Sequence, residues 1–97
     1  MVTIFLMLIR VHPQDNVAIV VDPDGVPAGR EHPGAPPARE RIPQSHKLLL
    51  HDLAPGDPVL RYGQVIGYAN RALSAGSWVR EELLDMPAPP PLLPPPL

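Results

Sequence analysis

Five side chains in this 97-residue chain are candidates for contact with a small-molecule substrate: His12, Asp15, His46, Lys47 and Arg61. His12 stands where an apolar run gives way to a turn, and Asp15 follows three residues on, so the two could form a substrate-facing polar pair. The competing role is local, with the Asp15 and Asn16 side chains capping amides of the turn and His12 simply exposed. Ser45-His46-Lys47 opens an apolar segment. There His46 could donate or accept a proton near neutral pH, and Lys47 could neutralise a carboxylate. The alternative for both is a solvated strand end. Arg61 and Tyr62 precede Gly63; the guanidinium could bind an anion, or point outward beside a packed tyrosine.

Other chemistries find less support. Ser45 beside His46 is not a nucleophile–base pair by adjacency, because a triad also needs an orienting group and an oxyanion hole. No residue is expected to be catalytic within this chain. Cysteine is absent, which removes disulfides, thiolate nucleophiles and all-cysteine metal sites. The histidines at 12, 32, 46 and 51 match no zinc spacing. His46 and His51 are five apart, so a continuous strand would point them to opposite faces, and His32 is expected to be exposed. A complete metal site is not expected, although a single ligand to a site completed elsewhere stays open. Gly63 and Gly67 lack the strand-to-helix setting of a dinucleotide motif. Eight Lys and Arg against ten Asp and Glu give a net charge of −2, no basis for nucleic-acid binding. No 18-residue apolar run is present, so no membrane span is expected. Met1 to Ile9 lacks the basic region and small-residue cleavage site of a signal peptide. Lack of cysteine fits a cytoplasmic protein.

The elements that must position these residues are short. Ile4 to Val11 reads as a strand ended by His12-Pro13, and Val17 to Val21 as a second strand closed by Asp22-Pro23-Asp24-Gly25. Their near-continuous apolar character suggests burial on both sides, or an edge covered by something else. Seven residues from Pro27 to Pro43 are proline or glycine, which predicts a surface loop over 28–41, long enough to be functional or locally disordered. Residues 46–50 read as a strand. Leu53-Ala54-Pro55-Gly56-Asp57-Pro58-Val59 and Leu73-Ser74-Ala75-Gly76-Ser77-Trp78-Val79 then share the form Leu-x-x-Gly-x-x-Val, twenty residues apart. Val26-Pro27-Ala28-Gly29 looks like a fragment of the same turn. The glycine supplies a positive φ while the flanking apolar residues enter the core. Val59–Tyr62 and Gln64–Ala69 read as strands joined at Gly63, and Glu81–Asp85 as at most a short helical turn. Trp78 is expected in the core or capping an interface. The fold class is therefore all-β, with a body over 1–86 that carries every charged side chain, and a Pro/Leu-rich linker or tail over 87–97. Such a body lies near the lower size limit for independent stability, which favours a module that leans on a partner.

These residues also carry a resemblance. His12-Pro13-Gln14-Asp15-Asn16-Val17-Ala18-Ile19-Val20-Val21, Ile42-Pro43-Gln44-Ser45-His46-Lys47, and Arg61-Tyr62-Gly63-Gln64-Val65-Ile66-Gly67-Tyr68-Ala69 with Gly76-Ser77-Trp78 after it resemble, in order and spacing, the N-terminal SAF domain of the galactarate/altronate dehydratase (UxaA-like) family. The likeness runs over about residues 11–93. It implies a small β-clip fold, and a role as the small domain or subunit of a sugar-acid dehydratase, a hydro-lyase of carbohydrate acid catabolism. Such a domain would help to bind the sugar diacid and to close an active site supplied mainly by a large catalytic domain or subunit. It would not be active alone. The resemblance implies no cofactor bound by this chain alone and a divalent metal, often iron, in the complete enzyme. Two departures stand out. Ser45 occupies a place usually held by glycine, and would be strained if that place needs φ > 0. Arg80-Glu81-Glu82 follows Trp78 where altronate-type relatives carry histidines. The residues alone also allow a non-catalytic β-clip ligand- or protein-binding module, or a truncated gene fragment. They do not distinguish among sugar acids or show the oligomeric state.

Overall fold

A computed structural model describes residues 3–5, 7–31 and 34–86. The Pro/Leu-rich linker or tail over 87–97 and the expected exposure of His32 lie outside the described residues. The described part is all-β, as expected, with two antiparallel sheets and no closed barrel. The first sheet orders its strands β1 (Thr3–Phe5), β2 (Leu8–Arg10), β3 (Val17–Val20), β4 (Lys47–Leu49) and β7 (Trp78–Val79). The second orders β5 (Pro58–Arg61), β6 (Gln64–Ala69) and β8 (Leu84–Asp85). A 3-10 turn, Glu81–Leu83, leads from the first sheet into β8. The single strand expected over Ile4–Val11 is instead a hairpin, β1 pairing β2 with Phe5 opposite Leu8. No Gly, Pro, Asn or Asp marks that reversal, so the apolar pattern alone does not separate the two strands.

β3 and β4 are the centre of the body. Val17 pairs with Leu49 and Ala18 with Leu48, and all four are at most 1% exposed. Alternation along the strands divides them between two cores. Ala18, Val20, Leu48 and Leu50 pack with Leu8, Val26, Ala38 and Ile42. Val17 and Leu49 face the other way, onto Val59, Ala69, Leu73 and Val79. β3 is thus covered on both faces, whereas β2 buries Leu8 and leaves Ile9 and Arg10 partly exposed; one device caps each core. Val26 and Ile42 exchange backbone hydrogen bonds of 2.8 and 2.9 Å. Leu53 and Leu73 exchange an equivalent pair, also of 2.8 and 2.9 Å.

Each of those four apolar residues is followed by a β-turn. The closing bonds run from Arg30 N–H to Pro27, His46 to Pro43, Asp57 to Ala54 and Ser77 to Ser74, at 3.0–3.2 Å. In each turn the third residue has positive φ: Gly29 (81°), Ser45 (73°), Gly56 (90°) and Gly76 (90°). The repeat legible as two copies and a fragment thus has four copies, and Ile42-Pro43-Gln44-Ser45 is the one disguised by serine. Gly76 is required by its φ of 90° and by its neighbours. A Cβ there would lie 2.1 Å from the Pro37 carbonyl oxygen, and the Gly76 carbonyl accepts from Arg39 N–H at 2.9 Å. That contact, with Ala38 2% exposed, anchors one end of the Pro/Gly-rich segment to the body.

Candidate functional site

The turn at Ser45 delivers His46 and Lys47 to the start of β4, whose partner is β7: Lys47 lies opposite Val79 and Leu48 opposite Trp78. The chain then leaves β7 through Arg80 into the 3-10 turn carrying Glu81 and Glu82. Register and turn together make an open cleft of about 320 Å³, lined by His46, Lys47, Trp78, Val79, Arg80, Glu81 and Glu82. A second cleft of about 190 Å³ adjoins it. Lys47, Val79, Arg80 and Glu81 line both, and the second adds Arg61, Ile66, Leu84 and Met86.

Lys47 and Arg61 are the cations that this surface leaves without a carboxylate within 4 Å among the described residues. Burial of Lys47 and, to a lesser extent, the positive charge of Arg61 hold its ammonium below the ordinary value of 10.5, against an opposing pull from Glu81. Arg61 lays its guanidinium over the Tyr62 ring, 4.8 Å from the centroid, and its Nε is buried without a hydrogen-bond partner among the described residues. Arg80 differs, since it spans Glu40 at 3.5 Å and Glu82 at 3.6 Å and stacks on Trp78 at 4.6 Å. What the surface can do chemically is attract an anion to Lys47 and Arg61, because two like charges held together partly out of water gain by meeting a counter-charge.

Of the five residues singled out by sequence, His46, Lys47 and Arg61 come together along these clefts. His12 and Asp15 line neither. Asp15 is 3% exposed. Its carboxylate accepts from the backbone N–H groups of His12 (3.1 Å), Tyr62 (3.0 Å) and Gly63 (2.7 Å). Asn16 adds to the grip, accepting from Leu60 N–H at 2.8 Å and donating to the Pro58 carbonyl at 2.9 Å. The His12 imidazole lies on Gly63, where an added Cβ would sit 3.1 Å from its ring, and its Nδ1 accepts from Gln14 N–H. Both residues therefore act on the β5–β6 turn, Tyr62-Gly63, whose two residues have φ of 55° and 71°.

Trp78, expected in the core or at an interface, and Arg80, given no site role by the sequence, both line the larger cleft. Trp78 is half-buried rather than in the core, and its indole N–H donates to His46 Nδ1 at 3.1 Å. No local signal marks a contact across 32 residues; only the β4–β7 register brings it about. Among the described residues no group of three or more His, Asp or Glu could hold a metal ion, so this part of the chain does not fit the divalent metal implied by the resemblance. No helix among them is long and apolar enough to cross a membrane.

Fold and surface together define a small all-β domain with an open, cation-bearing face. Residues 6–87 match the family model "Altronate/galactarate dehydratase SAF domain", and the chain belongs to that family. It is also 46% identical, over 84 residues, to the Escherichia coli (strain K12) protein named "Galactarate dehydratase (L-threo-forming)". That match covers 87% of this chain and 16% of the E. coli protein, so the chain corresponds to a small fraction of its relative's length.

Proposed function

We propose that this chain is the small domain or subunit of a galactarate dehydratase-like hydro-lyase, working in the cytoplasm, with its β body over 1–86 and a linker or tail over 87–97. It helps to bind the sugar diacid and closes an active site furnished mainly by a large catalytic domain. The observation that carries this reading is the pair of cations, Lys47 and Arg61, that lie on adjoining clefts with no carboxylate within 4 Å among the described residues. Removing water from a hydroxy acid takes a proton from the carbon next to the carboxylate and builds an enediolate, and fixed positive charge at that carboxylate lowers the cost of the added charge. Lys47, Arg61 and His46 contact the acid. Asp15 and His12 support the turn that places Arg61. The large domain supplies the proton-abstracting base and would hold the divalent metal that the resemblance implies.

The test grafts this chain onto the E. coli relative in place of its matching segment. Galactarate, glucarate and altronate dehydration are then measured for the graft, for the enzyme lacking the segment and for this chain alone. Activity is expected from the graft alone, and Lys47→Met and Arg61→Met are each expected to raise KM at least tenfold. Turnover by the isolated chain at an enzymatic rate, or a graft silent toward all three acids, would refute the proposal.

A further inference from the structure

We propose that Trp78 is a positioning residue that holds His46 as its Nε2–H tautomer, so that the imidazole enters the cleft as a hydrogen-bond donor to an anion and not as an acceptor or base. An indole nitrogen can only donate. With Trp78 Nε1 3.1 Å from His46 Nδ1, Nδ1 must carry a lone pair, and the proton of a neutral ring belongs on Nε2. The two rings are nearly perpendicular, centroids 5.1 Å apart and planes 84° apart. His46 lines the larger cleft, and its Nε2 has no hydrogen-bond partner among the described residues.

Trp78 is itself held on three sides. Its backbone is fixed in β7 opposite Leu48. Its indole packs against the first core. Its ring lies under the Arg80 guanidinium, which Glu40 and Glu82 hold from either side. A chain of contacts from Glu40 through Arg80 and Trp78 thus ends on one nitrogen of His46. The arrangement suits a cleft that meets a carboxylate, since His46 N–H, the Lys47 ammonium and the Arg61 guanidinium would all be donors. This last step rests on the carboxylate-binding reading, whereas the tautomer does not.

Long-range proton–nitrogen NMR correlations on the 15N-labelled chain read the tautomer directly. A single His46 form protonated at Nε2 is expected, and Trp78→Phe, which keeps a ring under Arg80 but removes the N–H, should give exchange between both tautomers. An Nδ1–H form or a mixture in the unaltered chain, or an unchanged single tautomer in the variant, would overturn the proposal. Adding galactarate then separates its two parts. A shift at His46 Nε2 together with the Lys47 and Arg61 side-chain nitrogens supports the donor role. Shifts at Lys47 and Arg61 without His46 overturn that role alone. With the tautomer held but no shift at any of the three, the carboxylate reading fails and takes the donor role with it.

Discussion

Ser45 keeps a β-carbon in a backbone conformation that the three equivalent turns give to glycine. For an L-residue, left-handed backbone costs about 1–2 kcal/mol, and glycine gives back roughly 0.5–1 kcal/mol of that through its larger loss of freedom on folding. Ser45→Gly is therefore expected to stabilise the chain by about 0.5–1 kcal/mol, measurable as a higher urea midpoint with an unchanged slope. His46 should keep its place, because the turn bond from its N–H to Pro43 does not involve the serine side chain. Lys47 carries the opposite balance between stability and function. Because its folded value lies below 10.5, the unfolded chain binds more protons between that lowered value and 10.5. Stability consequently rises with pH through that window, and at neutral pH the partly buried charge is a small net cost. Lys47→Met should unfold at higher urea at pH 7, lose that alkaline rise, and bind the diacid more weakly. A lower midpoint at pH 7 would mean that the ammonium stabilises the fold.

At the scale of elements, the turns were legible because their chemistry is local. A proline or small residue followed by glycine, between apolar positions, fixes where the chain reverses whatever surrounds it. Where serine took the glycine's place the repeat is hidden, although the resemblance raised the positive φ that Ser45 does adopt, and the β1–β2 reversal carries no mark at all. Legibility failed wherever partners are distant in sequence, as with Trp78 and His46, or the buried Asp15. Asp15 was readable as a turn capper through its neighbour His12, but not through Tyr62 and Gly63, 47 and 48 residues away. Its carboxylate joins the turn after β2 to the β5–β6 hairpin, and so joins the two sheets. Asp15→Ala leaves three backbone donors to find water or go unpaired, and should cost about 2–4 kcal/mol. Hydrogen exchange locates the damage: protection should fall first at the Tyr62 and Gly63 amides, while β3 and β4 keep theirs until global unfolding. Uniform loss of protection would show that Asp15 supports the whole body and not this hairpin.

For the molecule as a whole, the question is whether two cores make two folding units. Leu48 and Leu49 are adjacent in β4 and both fully buried, yet Leu48 packs in the core with Val26 and Ile42, and Leu49 in the core with Val59 and Leu73. A strand of three residues cannot lose its packing on one face and stay seated on the other. Leu48→Ala and Leu49→Ala should each cost about 2–5 kcal/mol, a large part of the roughly 5–15 kcal/mol that keeps a domain folded. The cost should appear in both cores at once. In each variant the near-ultraviolet signal of Trp78, which packs on the first core, and exchange protection at Val59 and Ala69, in the second, should be lost at one denaturant concentration. Separate midpoints, with Leu48→Ala moving only the Trp78 signal and Leu49→Ala only the Val59 and Ala69 amides, would show two cores that merely share a strand. A single midpoint has a consequence for the clefts. Lys47 is the residue just before these leucines, so the cation site would be as firm as the entire fold, and any closing over substrate would have to occur as a movement of the body as one piece.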